Sequence, residues 1–120
     1  MTPTDPPEPS WLRVCRRDEL AEARARGCDP DPRSGEERAF VVRREGRVHA
    51  YRNLCPHNWR PLEYAKDRFL NGDGSEIVCY AHGAHFLIED GLCIFGPCEG
   101  ERLQPLRVRE DEEWIWIEAS

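Results

Sequence analysis

Two short boxes hold most of the ligating chemistry in this 120-residue sequence: Cys55-Pro56-His57 and, after 21 intervening residues, Cys79-Tyr80-Ala81-His82-Gly83. Each places a soft thiolate and an imidazole two or three residues apart, so that one tight loop can aim both at one centre. Two such loops supply four ligands. Structural zinc sites space cysteines by two to four residues and histidines by three to five, and put like with like. Here each half is mixed. A lone cysteine is ordinarily a small hydrophobe and a lone histidine a satisfied core or surface group, but four in a paired arrangement point to a metal. The residues by themselves leave an iron-based site, a zinc site and no metal open.

The order Cys-x-His with Cys-x-x-His resembles the Rieske [2Fe–2S] signature, in which two cysteines hold one iron and two histidines the other. The resemblance extends to Pro61-Leu62, to His82-Gly83-Ala84-His85-Phe86 and to Gly96-Pro97, and covers residues 38 to 118. It implies one [2Fe–2S] cluster per chain, held by Cys55, His57, Cys79 and His82. It also implies a proline loop at Pro97 over the far side of the cluster, with Cys98 near the iron but not a ligand. His49 and His85 are read as non-ligands. High-potential respiratory members carry an extra cysteine in each loop, plus a serine and a tyrosine that hydrogen-bond the sulfurs. The matching positions here are Arg60, Ala81, Ala84 and Phe86, so the potential is expected low in the Rieske range of about −150 to +300 mV. Trp59 stands where ferredoxin and oxygenase members usually have glycine.

Composition sets outer limits. A chain of 120 residues has room for one domain, and with 39% hydrophobic residues and a mean hydropathy of −0.74 its small core is expected to gain from cluster binding. The net charge of −6, with both signs interspersed, argues against nucleic acid. No apolar run approaches the roughly 18 residues that span a bilayer, and no signal core precedes the domain, so a cytoplasmic protein is expected. Cys15, Cys28, Cys93 and Cys98 are spaced irregularly, and in a reducing compartment the default for Cys93 and Cys98 is two thiols.

The elements that must position the boxes follow from pattern. Residues 1–10, with four prolines, read as a disordered arm, and 11–120 as a single domain. Trp11 to Arg16 reads as a strand, Glu19 to Arg26 as a short alanine-rich helix capped by Asp18 and stopped by Gly27. Arg38 to Arg43 and Arg47 to Arg52 form a hairpin that delivers the chain to Cys55. Arg68 to Leu70 is a short strand before the turn Asn71-Gly72-Asp73-Gly74, and Glu76 to Tyr80 returns carrying Cys79. Ala84 to Ile88 with Leu92 to Phe95, and Leu106 to Arg109 with Trp114 to Glu118, make two more hairpins. Trp114 and Trp116, at strand spacing, are expected in the core, with a docking surface as the other reading. The fold class is all-β, an antiparallel Rieske-like β-sandwich with a small cluster-binding subdomain over about residues 53–98.

The resemblance then implies a function. A complete Rieske oxygenase needs a mononuclear iron held by two histidines and a carboxylate in a separate domain, whereas all four histidines here lie between positions 49 and 85. The expected role is a one-electron carrier rather than an enzyme, taking electrons from a flavin reductase to a terminal oxygenase or similar enzyme. The other reading is a non-catalytic accessory or redox-sensing module of a larger complex.

Overall fold

The computed structural model describes residues 10–31, 33–56, 59–63 and 65–119; the expected arm, apart from Ser10, and His57 lie outside these. Among the described residues nine strands follow one another: β1 (Trp11–Arg16), β2 (Arg24–Cys28), β3 (Ala39–Arg44), β4 (Arg47–Arg52), β5 (Glu76–Cys79), β6 (Ala84–Leu87), β7 (Cys93–Phe95), β8 (Val108–Glu110) and β9 (Trp114–Glu118). They form three antiparallel sheets, in the orders β1-β9-β8, β2-β3-β4 and β5-β6-β7. The all-β reading holds.

The middle sheet is covered on both faces, and its central strand shows why. Ala39, Phe40, Val41 and Val42 form an unbroken apolar run, the pattern of a strand with no solvent face, and all four have zero exposure. Side chains alternate across a strand. Phe40 and Val42 therefore join Tyr51, Phe69, Ile77 and Phe86 on one side, while Ala39 and Val41 join Leu20, Ala50, Ile115 and Ile117 on the other. The β3–β4 hairpin turns on Glu45 and Gly46, both with positive φ (53° and 78°), the geometry whose twist matches the flanking strands. The Glu22 carboxylate accepts both amides of that turn, at 2.6 and 3.0 Å.

Three sequence expectations are corrected. No α-helix forms over Glu19 to Arg26: Arg17–Glu19 is one turn of 3₁₀-helix and Arg24–Cys28 is β2, paired to β3 from Arg24↔Arg43 to Cys28↔Ala39. Helix propensity is worth only tenths of a kcal/mol per residue (roughly 0–0.7), and β3 offers this segment a full ladder of backbone partners. Gly27 is not a stop but lies within the strand, where its amide donates to Asp67 Oδ1 at 2.7 Å. The segment 68–70 is not a regular strand; only Leu70 forms a bridge, to Ile77, and Val78 donates to the Phe69 carbonyl.

The third correction concerns Trp114 and Trp116, which are half-buried on the outer face of β9 while Ile115 and Ile117 point inward. Indole N–H groups need an acceptor, and Trp116 Nε1 donates to Asp111 Oδ2 at 2.8 Å. The Arg13 and Arg16 guanidinium carbons lie 4.3 and 4.7 Å from the Trp114 ring centre, and Arg109 lies 5.4 Å from that of Trp116. Cation–π stacking of this kind suits the wet side of a sheet.

At the other end of β3, the buried Arg43 ties the middle sheet to the first. It donates to the carbonyls of Leu20, Gly46 and Arg17 and makes a two-pronged contact with Glu110, at 3.3 and 2.7 Å.

Candidate metal centre

Both cysteine boxes stand at the end of a strand. Cys55 follows β4, Cys79 ends β5, and both thiols are fully buried. The two loops close in the same way. The Trp59 amide donates to the Cys55 carbonyl at 2.6 Å, and the Gly83 amide donates to the Cys79 carbonyl at 2.8 Å. In each, the residue four after the cysteine takes a left-handed backbone: φ is +57° at Trp59 and +75° at Gly83. Glycine adopts that conformation freely, whereas a bulky residue is strained by about 1–2 kcal/mol. This accounts for the glycine that Trp59 replaces relative to the family pattern. The indole itself is 61% exposed.

A second set of bonds fixes the loops to the body and to each other. Asn53, buried two residues before Cys55, accepts from the Leu62 amide at 2.9 Å and donates to the Glu37 carbonyl and the Glu63 carboxylate. Its own amide donates to the Arg38 carbonyl at 2.9 Å. Cys55 donates from its amide to Arg60 at 2.8 Å, and Tyr80 donates to the Leu62 carbonyl at 3.0 Å, joining second loop to first. The Tyr80 hydroxyl donates to the Leu70 carbonyl. Burial holds the Glu63 carboxyl above its ordinary range, although the bond from Asn53 opposes this. Asn53 escaped the sequence reading; its only signal there was an amide at the end of a strand, next to a ligand box.

Behind the first loop, the turn after β7 comes in close. Gly96 has φ +106°, and a Cβ there would sit 2.8 Å from Ala84 Cα, so only glycine lets this turn lie against β6. Cys93 and Cys98 are thereby brought together as two buried thiols, their sulfurs 3.3 Å apart. Burial pushes the Cys98 thiol up, and its hydrogen bond with Cys93 adds to this. Ala84 and Phe86, inward-facing on β6, bring no hydroxyl to the site.

Of the four expected ligands, Cys55 and Cys79 are buried at adjoining loops, His82 is exposed on the second loop, and His57 is outside the described residues. Among the described residues no group of three or more histidine, cysteine or acidic side chains is gathered for a metal ion. His85 turns away into a pair with Glu76, Nδ1 to Oε1 at 2.8 Å, edge-on to Phe95. His49 lies on β4. Two thiols sealed from solvent, on loops of matching closure and with an imidazole at the rim, are a donor set that suits an iron–sulfur cluster. On the two loops Trp59, Arg60, Tyr80 and Ala81 are exposed, and so are Phe95 and Pro97 at the end of β7 and in the turn after it. Phe95, 64% exposed, is a surface residue that strand patterning placed in a hairpin but did not single out.

The fold and this arrangement are those of a Rieske domain. The chain belongs to the Rieske [2Fe-2S] domain family, whose model matches residues 10–109. It is 33% identical over 81 residues to the ferredoxin component of the alkene monooxygenase system of Xanthobacter autotrophicus (strain ATCC BAA-1158 / Py2); the match covers 68% of this chain and 60% of that relative's length. Among solved structures it is similar to the ferredoxin of carbazole 1,9a-dioxygenase from Nocardioides aromaticivorans IC177, with a TM-score of 0.70 and 25% identity over 92% of this chain and 99% of that one. The same fold recurs within the terminal oxygenase of carbazole 1,9a-dioxygenase from Novosphingobium sp. KA1 (TM-score 0.68, 22% identity), where 92% of this chain matches 30% of the larger one. No helix among the described residues is long and apolar enough to cross a membrane.

Proposed function

We propose that this protein is a one-electron carrier, not itself an enzyme, that takes electrons from a flavin reductase and delivers them to a terminal oxygenase or similar enzyme. Its ligands are Cys55 and Cys79 on one iron and His57 and His82 on the other, within a cluster-binding subdomain of about residues 53–98. A [2Fe–2S] cluster bound there supplies one-electron chemistry, at a potential raised above that of an all-cysteine cluster by the two imidazoles. The observation that carries the reading is the contrast within the two loops: the Cys55 and Cys79 thiols are fully buried, whereas Trp59 on the first loop and His82 on the second are exposed. The exposed face of the loops that contain Trp59, Arg60 and Pro97 is the contact surface for the partner, since contact at the tip gives the shortest path for the electron, while the net charge of −6 acts on encounter. The likeness to ferredoxins of the alkene monooxygenase and carbazole dioxygenase systems supports the choice of partner. Six cysteines without a disulfide among them suit a reducing cytoplasm.

The test is iron content with visible and EPR spectra of the purified protein, followed by reduction and electron delivery to an oxygenase. A Rieske-type spectrum is expected, with His82→Ala losing it. Trp59→Ala is expected to keep the spectrum and slow delivery. A protein that binds zinc instead, or an unchanged iron content in His82→Ala, refutes the ligand assignment. Normal delivery by Trp59→Ala combined with collapse on charge reversal at Glu112 and Glu113 would put the interface elsewhere.

A further inference from the structure

The outer face of the first sheet carries a pattern that electron transfer leaves unused. Arg13 on β1, Trp116 on β9 and Arg109 on β8 stand in one row across the three strands. The two guanidinium carbons lie 5.9 and 5.4 Å from the Trp116 ring centre. Each also lies near a second indole, Arg13 at 4.3 Å from Trp114 and Arg109 at 5.0 Å from Trp11. The three indoles are half-buried and both arginines are exposed. Asp111 holds the Trp116 ring in place through Nε1, at 2.8 Å.

Counter-charge is what this row lacks. Arg13 and Arg109 form no ion pair among the described residues. Three carboxylates of β9 and the turn before it are engaged elsewhere: Asp111 also accepts the Glu113 and Trp114 amides, Glu113 pairs with Arg16 at 3.4 Å, and Glu118 accepts the Arg107 amide at 2.9 Å. In a chain of net charge −6, two unpaired guanidiniums on one aromatic face are a local exception. Tryptophan and arginine are also the residues that dominate binding energy at protein interfaces. Spacing then selects the kind of partner. Arg13 and Arg109 stand two strand spacings apart, roughly 10 Å. A polyproline II segment presents every third residue on the same side, about 9 Å apart. Two carboxylates three positions apart can thus meet both arginines, with the prolines between them laid on Trp116, as pre-ordered prolines are on aromatic-lined surfaces. An anionic membrane or a nucleic acid would instead bring an extended negative surface against a negative chain, and a second copy carries the same −6.

We propose that the outer face of the β1-β9-β8 sheet is a docking surface for an extended acidic, proline-bearing segment of a partner protein, whose carboxylates pair with Arg13 and Arg109 on either side of Trp116. The first sheet bears neither cysteine box, so this surface is separate from the contact at the ligand loops. The inference does not depend on the ligand assignment.

The experiment titrates the holoprotein at low ionic strength with a capped tetrapeptide, two glutamates flanking two prolines, and follows the four indole N–H signals by heteronuclear NMR. The Trp114 and Trp116 signals are expected to shift saturably, that of Trp59 to stay, and the affinity to fall as salt is added. Replacing both arginines, Arg13→Gln with Arg109→Gln, should weaken binding about tenfold, the scale of two exposed ion pairs, without altering iron content. Arg13→Lys with Arg109→Lys keeps the charge and should recover part of that loss. Absence of saturable binding, equal binding of a peptide with glutamines in place of the glutamates, or full affinity in the glutamine variant overturns the proposal. So does a shift at Trp59 in place of Trp116. Binding that appears only after residues 1–9 are removed would make the chain's own start the occupant. Indole shifts that follow protein concentration without peptide would make it a second copy, and tighter binding to phosphatidylserine vesicles than to the peptide would make it a membrane; each of these outcomes also overturns the proposal.

Discussion

The two cores that share β3 are built on different principles. The one between the first and middle sheets is filled mostly by aliphatic side chains, Val41, Ile115 and Ile117 among them, with Cys15 as its one buried thiol, and is closed by the Arg43–Glu110 pair. The one on the other side holds four cysteines, Cys55, Cys79, Cys93 and Cys98, between stacked Phe40 and Phe69 and the inward face of β6. An aliphatic core is held mainly by packing. A core that keeps thiols at its rim needs its loops fixed by hydrogen bonds, which Asn53 and the two matched turns provide, and gains further from a bound metal. The basal side should accordingly tolerate loss of the cofactor, and the tip should not.

Cys79→Ser breaks that comparison most severely. Iron content and visible absorption should fall to background, while the near-ultraviolet circular dichroism of Trp114 and Trp116, on the far sheet, stays close to native. Concerted loss of both signals would show that the cores are one unit.

Next in size is the basal pair. Glu110→Ala leaves the Arg43 guanidinium buried without its carboxylate and should cost about 3 kcal/mol in urea unfolding. The midpoint potential should not move, and a shift in it would mean that the strut reaches the tip. Asn53→Ala, on the cysteine side, leaves the Leu62 amide buried and unsatisfied and should cost about 2 kcal/mol. Here iron release to a chelator should accelerate as well, and a normal release rate would deny Asn53 its part in the loop.

Smaller effects sharpen the contrast. Trp59→Gly removes left-handed strain but adds chain entropy on unfolding, a net gain of about 0.5 kcal/mol; a loss of stability would show that the indole contributes packing. On the middle sheet, burial holds the His49 pKa below its ordinary 6.5, more than Glu89 raises it. The unfolded chain then binds the extra proton first, so stability is full above pH 6.5 and declines as pH falls below it. His49→Gln should flatten that acid limb, and identical slopes would place the acid sensitivity elsewhere.

What the sequence shows of this architecture depends on range. The hairpins were legible because their turns are local: Glu45-Gly46 and Glu89-Asp90-Gly91 leave few alternatives. Cys55, His57, Cys79 and His82 stood out through spacing, again a local property. The helix expected at 19–26 failed because β2 is made by β3, a partner whose pull is not written in the segment itself. Alternation in Trp114-Ile115-Trp116-Ile117 fits either face, and the choice was made by Arg13, Arg16 and Arg109 on neighbouring strands. The Asn53 bonds and the Cys98–Cys93 contact are likewise products of folding.

The pairing of β1 with β9 carries a kinetic consequence. Trp11 lies opposite Glu118, and the Ala119 amide reaches the Ser10 carbonyl at 2.8 Å, so the first sheet joins segments more than a hundred positions apart. The entropy of closing so long a loop has to be met before any of its contacts form, whereas the β3–β4 hairpin closes across two residues. Folding should thus begin at the wall between the cores and finish at β1. Linking Ala119 to Ser10 and opening the chain between Glu45 and Gly46 would make the β9–β1 pair the local hairpin and β3–β4 the distant one, and so reverse which core is assembled first.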